Sequence, residues 1–213
     1  MDKKYDKIKN DFRQRTLGKK DVEENPFAQF NKWMDKAISS GIKEPTAMAL
    51  ATVGKNMQPS SRIVLLKEIK DDNFIFYTNF DSKKGHQISE NHYGCLLFHW
   101  PELEQQIRIE GRIEKASKEI SEEYYLTRSA KRRLGAWASP QSQEIPNREF
   151  LEKKQSEFDK KFEGNPIQKP DNWGGYIVTP YTIEFWQGRP NRLHDRIEYY
   201  RDDNEWKIRR LAP

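Results

Sequence analysis

The chain has 213 residues and a formal net charge of +5, with 35% hydrophobic, 33% charged and 12% aromatic residues. That length can bury a core as one large domain or two small ones, and six Trp, nine Tyr and eleven Phe argue against disorder. The longest aliphatic run, Ile63–Leu66, is far short of the ~20 apolar residues of a membrane span, and the opening MDKKYDKIKN has no apolar signal core. The expectation is a soluble, unsecreted, cytoplasmic protein. Its single cysteine, Cys95, excludes an intrachain disulfide and fits a reducing compartment.

Residues 1–24 are charged, with Ile8, Phe12 and Leu17 as sparse apolar points, and read as a helical or mobile arm. Asn25-Pro26 supplies an N-cap and a proline at the first helical position; Phe27, Phe30, Met34, Ala37 and Ile38 follow at helical spacing up to Gly41. From Ala47 short apolar runs alternate with turn formers, which predicts strands near 47–53, 61–69, 74–79, 93–100 and 105–115 and a short helix from Lys84 to Glu90. Ser117 caps a helix to about Thr127, and Asn147 opens a charged amphipathic helix carrying Leu151, Phe158 and Phe162 up to Gly164. Strands return near 175–179, 182–187, 195–201 and 205–211, with Gly174-Gly175 read as a tight turn. The pattern suggests a small antiparallel β-barrel with helices packed outside, in one domain from residue 25 to 213.

The basic residues are dispersed apart from Lys131-Arg132-Arg133 and Arg209-Arg210, and no nucleic-acid-binding signature accompanies them, so nucleic acid is not the expected partner. A metal site at His92, Cys95 and His99 is not expected either, because strand alternation points His92 away from the other two. Arg62 and Lys67 bracket an apolar strand core; their odd spacing sets them on opposite faces unless a bulge intervenes, and they also suit the solvated ends of a strand. Tyr77, Thr78, Asn79, Ser82, Lys83 and Lys84 gather hydroxyls, an amide and lysines at a helix start, which suits a phosphate monoester or a capped surface helix. The densest chemistry is Glu184–Arg196. There Arg192 and His194 share a face if the segment is extended, and an ion-pair network with Glu184 and Asp195 is the other explanation.

Taken in order, RIVLLK at 62–67, FYTN with Ser82-Lys83-Lys84, QQIRIEG at 105–111, GAWASPQS at 135–142, WGGY at 173–176, EFWQGRPNRLHDR at 184–196 and the terminal RRLAP resemble the pyridoxamine 5'-phosphate oxidase family. The resemblance runs from about Ile8 to Pro213. It implies an FMN-binding split barrel, mainly β with helices, that forms homodimers with flavin sites at the subunit interface. FMN would be held by Arg62, Ile63, Val64, Leu65, Leu66 and Lys67, by Tyr77, Thr78, Lys83 and Lys84, and by Gln106, Gln141, Ser142, Trp186 and Arg196. The substrate phosphate would be held by Lys67, Tyr124 and Arg128, with Arg192, Leu193 and His194 at the pyridine ring and Lys9, Asn10, Asp11 and Phe12 closing the site.

The implied reaction takes pyridoxamine 5'-phosphate or pyridoxine 5'-phosphate to pyridoxal 5'-phosphate. The C4' carbon gives a hydride equivalent to the flavin, and O2 takes the electrons to release H2O2. Arg192 would be the main catalytic positioning group and His194 a secondary one. A non-catalytic flavin- or pyridoxal-phosphate-binding protein on the same scaffold is the alternative; peroxide release on adding pyridoxamine 5'-phosphate discriminates the two. One departure stands out. Where the family commonly reads R-P-R-x-S-Q-I-G, with the serine on the substrate phosphate, this chain reads RSAKRRLG and puts Arg132 in the serine's place.

Overall fold

The computed structural model describes Phe12 and residues 15–203 and 205–213. Its helices are α1 (Pro26–Ser39), α2 (Lys83–Glu90), α3 (Lys118–Thr127), α4 (Ala130–Ala138) and α5 (Arg148–Lys161). Its strands are β1 (Ala47–Val53), β2 (Pro59–Leu65), β3 (Glu68–Lys70), β4 (Asn73–Asn79), β5 (Tyr93–Trp100), β6 (Gln105–Lys115), β7 (Trp173–Gln187), β8 (Asp195–Asp202) and β9 (Glu205–Leu211). Strand order is β2-β1-β5-β6-β7-β4-β3, with β8 paired to β7 and β9 to β8. Among the described residues no helix is long and apolar enough to cross a membrane.

The described residues divide into two compact units interleaved in sequence, those up to 49 with 96–110 and 181–213 in one and 50–95 with 111–180 in the other. In the first, α1 begins as its sequence predicts: the Asn25 side chain accepts hydrogen bonds from the backbone N–H groups of Phe27 (2.8 Å) and Ala28 (3.1 Å), and such a cap contributes about 1 kcal/mol. Phe27, Phe30, Trp33, Met34 and Ala37 are buried. Phe30 meets Phe98 edge-on at 5.2 Å, Trp33 meets Phe185 at 5.2 Å, and Phe185 meets Tyr199 at 5.6 Å. The end of the arm is tied to the same unit: Leu17 is buried, its N–H donates to Asp195 Oδ2 (3.0 Å) and its carbonyl accepts from Arg210 Nη2 (2.9 Å).

In the second unit Phe76 stacks on Tyr176 at 5.5 Å and Phe80 meets Tyr176 edge-on at 5.3 Å. Gly174 and Gly175 lie inside β7 and not in a tight turn. A Cβ on Gly174 would fall 2.6 Å from Phe80 Cζ, and one on Gly175 2.9 Å from Ala116 Cβ, so close packing is what requires glycine there.

Three further elements depart from the pattern read in sequence. The strand expected over 61–69 is two strands, because the chain leaves β1 after Leu65 and joins β4, with Lys67 N–H donating to the Ile75 carbonyl (2.9 Å). The strands expected at 175–179 and 182–187 are one 15-residue strand. Pro180 does not break it, since it falls between the pairing with β4, which ends at Val178, and the pairing with β8, which starts at Thr182. The third is α4, where three consecutive cations and Gly135 mask the buried pair Leu134 and Ala138, four residues apart.

Candidate functional site

The change of partner between β2 and β3 builds the site. It brings Arg62 and Lys67 to one cavity of about 380 Å3, against the opposite faces that unbroken alternation predicts. Ile63, Val64 and Leu65 line the same cavity, as do Tyr77 and Thr78 from β4, Lys84 from α2, Tyr124 from α3, Arg128 at its C-cap, Arg132 from α4, Gln141, and Trp173 at the start of β7. Arg62, Lys67, Lys84, Arg128 and Arg132 are five cations, and no carboxylate is in the lining.

Lys84 is the most confined of them. It is buried, and its Nζ donates to Gln141 Oε1 (2.9 Å), Thr78 Oγ1 (3.2 Å) and Ser82 Oγ (3.2 Å). Burial, and then the charge of Arg62, pull its pKa down to about 8. Lys67 is shifted down in the same way, by burial and then by Arg132 and Arg128. Arg128 lies 4.6 Å over the Trp173 ring, and its Nη1 is buried with no hydrogen-bond partner. Tyr77 stacks on Tyr124 at 3.8 Å and is parallel to Trp173 at 5.7 Å. Burial first, and then nearby acids and Tyr124, raise the Tyr77 phenol to about 12, so it remains a neutral hydrogen-bonding group. Mutual repulsion among uncompensated cations and an orphaned guanidinium N–H fit a phosphorylated ligand.

Other residues expected at the site fall elsewhere. Leu66 is buried and does not line the cavity. Lys83 and Ser142 line a separate cavity of about 570 Å3 with His86 and Glu90, because Lys83 faces out from the helix start while Lys84 faces in. Gln106, Trp186 and Arg196 line a third, of about 290 Å3, within the other unit.

In that third cavity the ion-pair explanation holds for Arg196, which donates to the buried Glu184 from Nε (2.7 Å) and Nη2 (3.0 Å), beside Arg108 Nη2 at 2.5 Å. Arg189 and Arg210 pair with Asp195 at 3.5 and 2.6 Å. Pro190–Arg192 is not extended: it forms a 3-10 turn with Asn191 and Arg192 at φ 58° and 61°, so the shared face read from extended alternation does not apply to Arg192 and His194. Arg192 and Leu193 are exposed, and no carboxylate among the described residues pairs with Arg192.

His194 Nδ1 accepts the Arg189 backbone N–H (3.1 Å), which leaves its proton on Nε2, and burial followed by Arg192 lowers its pKa. Its ring lies 4.6 Å from Trp186 and 5.2 Å from Phe12. Lys9, Asn10 and Asp11 lie outside the described residues. Among the described residues no three His, Cys, Asp or Glu side chains form a metal-binding group. Sequence reasoning left Trp173 unassigned, although its WGGY block was among the recognisable ones, and gave no part to Thr52, Ser60 and Gln87, which surround Arg62.

Residues 34–161 match the family described as pyridoxamine 5'-phosphate oxidase, and residues 173–213 match the pyridoxine 5'-phosphate oxidase C-terminal dimerisation region. The chain is 51% identical over 199 residues to a pyridoxine/pyridoxamine 5'-phosphate oxidase of Cupriavidus pinatubonensis, covering 93% of each chain. The chain belongs to the pyridoxamine 5'-phosphate oxidase family. It is also 48% identical to the Nostoc punctiforme pyridoxine/pyridoxamine 5'-phosphate oxidase over the full length of both.

Among solved structures, PhzG from Burkholderia lata 383, in complex with tetrahydrophenazine-1-carboxylic acid, matches with a TM-score of 0.86 and 32% identity, over 93% of this chain and 98% of that one. A pyridoxamine 5'-phosphate oxidase-related, FMN binding protein of Nostoc punctiforme matches with a TM-score of 0.71 at 19% identity, over 90% of this chain and all of that one, and shares the fold. The split-barrel fold expected from the resemblance is therefore the fold of this member of the pyridoxamine 5'-phosphate oxidase family.

Proposed function

We propose that this oxidase acts on pyridoxamine 5'-phosphate and pyridoxine 5'-phosphate, forming pyridoxal 5'-phosphate with FMN as cofactor and O2 as the final acceptor. The observation that carries this reading is the cavity lined by five cations, two stacked tyrosines and a tryptophan, without a carboxylate. The names of the full-length relatives support the substrate class. The alcohol and O2 give aldehyde and H2O2; the amine, O2 and water give aldehyde, ammonia and H2O2. FMN, when bound, supplies the two-electron acceptor for the hydride leaving C4' and passes the electrons to O2.

The chain's own residues bind and orient. Arg62, Thr78, Lys84 and Gln141, joined by Lys83 and Ser142, hold the flavin phosphate and ribityl chain, and the backbone of 63–66 flanks it. Gln106, Trp186 and Arg196 hold the remainder of the flavin. Lys67, Tyr124, Arg128 and Arg132 take the substrate phosphate. Arg192 positions the substrate and stabilises developing charge, with a neutral His194 offering its Nε2–H; Leu193 and residues 9–12 help close the site. The protein works as a cytoplasmic homodimer with flavin sites at the subunit interface, residues 25–213 acting as one functional domain behind an arm of residues 1–24. Releasing and identifying the flavin, then measuring peroxide on addition of pyridoxamine 5'-phosphate, tests this. FMN and peroxide are expected, whereas FAD, no flavin or no peroxide refutes the corresponding part.

A further inference from the structure

Arg62 is held by an unusual set of partners. Its Nη1 donates to the Leu50 carbonyl (3.0 Å) and Thr52 Oγ1 (2.6 Å), and its Nη2 donates to Ser60 Oγ (2.6 Å) and Gln87 Oε1 (3.4 Å). Every one of these acceptors is neutral, and among the described residues no carboxylate pairs with this guanidinium. Both hydroxyls, having accepted from Arg62, donate to the same oxygen: Thr52 Oγ1 and Ser60 Oγ each lie 2.7 Å from Gln87 Oε1.

The amide is fixed the right way round from its other end, where Gln87 Nε2 donates to the Gln58 carbonyl (3.2 Å). Gln87 and Thr52 are buried, so water does not substitute for these bonds. The arrangement immobilises a cation without neutralising it. A glutamate in the same place would accept the same bonds from Thr52, Ser60 and Arg62, but it would lose the donor to the Gln58 carbonyl and cancel the charge that Arg62 presents to the cavity.

We propose that Gln87 is a positioning residue for phosphate recognition: its single amide oxygen gathers Thr52, Ser60 and Arg62 so that Arg62 faces the flavin phosphate rigid and fully charged. This rests on the reading of the cavity as an FMN site. Gln87 does not line the cavity that Arg62 enters, so its effect on a phosphate there passes through Arg62, and its neutrality is as important as its shape. The nearly isosteric Gln87→Glu keeps an acceptor for both hydroxyls and for Arg62 and adds one negative charge within ion-pair distance of the guanidinium. Gln87→Met keeps the volume and removes the acceptor, leaving the hydroxyls of Thr52 and Ser60 without a shared partner.

The test titrates the full chain with FMN and with riboflavin, which lacks the phosphate, following quenching of flavin fluorescence, with thermal melting run in parallel. Wild type is expected to prefer FMN. Gln87→Glu should weaken FMN roughly 10- to 100-fold, the range of one charge-assisted contact, while moving riboflavin less than about twofold. Gln87→Met should lose part of the same preference without any added charge. If Gln87→Glu and Gln87→Met keep the wild-type preference, or if they weaken both flavins equally, Gln87 has no positioning role and the FMN reading stands. If wild type itself binds riboflavin as tightly as FMN, the phosphate reading of the cavity fails and takes this inference with it.

Discussion

Lys84 and Arg62 meet the same difficulty, a cation held in a place that suits a neutral group. For Lys84 the sign of the consequence follows from its pKa near 8 against an ordinary value of 10.5. Between those values the unfolded chain binds more protons than the flavin-free fold, so stability rises with pH across that window. The cost of the buried ammonium is present in full below pH 8. An incoming phosphate removes that cost by pairing with the ammonium, which requires the protonated form. FMN affinity is therefore expected to fall about tenfold between pH 7 and 9 as the protonated fraction declines. Lys84→Met should bind FMN more weakly throughout and show a flat profile; an unchanged slope in that variant would assign the titration to another group.

Arg192 differs from its neighbours in having no carboxylate partner among the described residues, whereas Arg189 and Arg196 are paired. Arg192→Ala leaves the backbone at φ 61° with another L residue, so the strain at the turn is unchanged. Melting temperature and flavin content should stay near wild type, while reduction of the flavin by pyridoxamine 5'-phosphate, followed without oxygen, slows by about tenfold or more. Loss of flavin and stability together would make Arg192 a structural residue.

At the scale of elements, α4 is the segment whose sequence fits its structure least well. Its first turn carries Lys131, Arg132 and Arg133 and no acid, and Ser129 makes no side-chain capping bond, so cations face the positive end of the helix dipole. An anion at Arg132 relieves that conflict. Binding of pyridoxal 5'-phosphate is expected to slow amide hydrogen exchange in residues 130–135, and Arg132→Ala to abolish that protection and weaken pyridoxal 5'-phosphate by about 10- to 100-fold. Flavin affinity should barely change. Equal affinities for wild type and Arg132→Ala at low and moderate salt would mean that Arg132 faces solvent and is merely screened.

At the scale of the whole molecule, β2 ends the strand order, so that among the described residues one side of its backbone has no strand partner, and it carries Ile63 at 65% exposure. Residues 173–213 match a dimerisation region, and the homodimer proposed above would cover this edge with a second copy. Light scattering is expected to report twice the chain mass. Ile63→Asp should shift the protein to monomer and lose flavin in the same step. A monomer that retains flavin and full turnover would exclude an interfacial site.

The sequence by itself determined the elements with strong local signals: the Asn25-Pro26 start of α1, the Ser117 and Asn147 caps, β5 and β6 at the predicted bounds, and the ordered blocks that assign the family. Capping, alternation and helical spacing act over a few residues and leave their mark in composition. Only the tertiary structure decided that Arg62 and Lys67 share a cavity, that Pro180 lies within one strand, that Lys83 and Lys84 part company, and that Arg192 sits in a left-handed turn. Each of those depends on which strand the backbone pairs with next, or on what a side chain meets from far along the chain. Gln87 shows the limit plainly: one glutamine among the polar residues of a short helix, it acquires a role only when folding brings Thr52, Ser60 and Arg62 within reach of its oxygen, because hydrogen bonds between distant residues leave no local pattern to read.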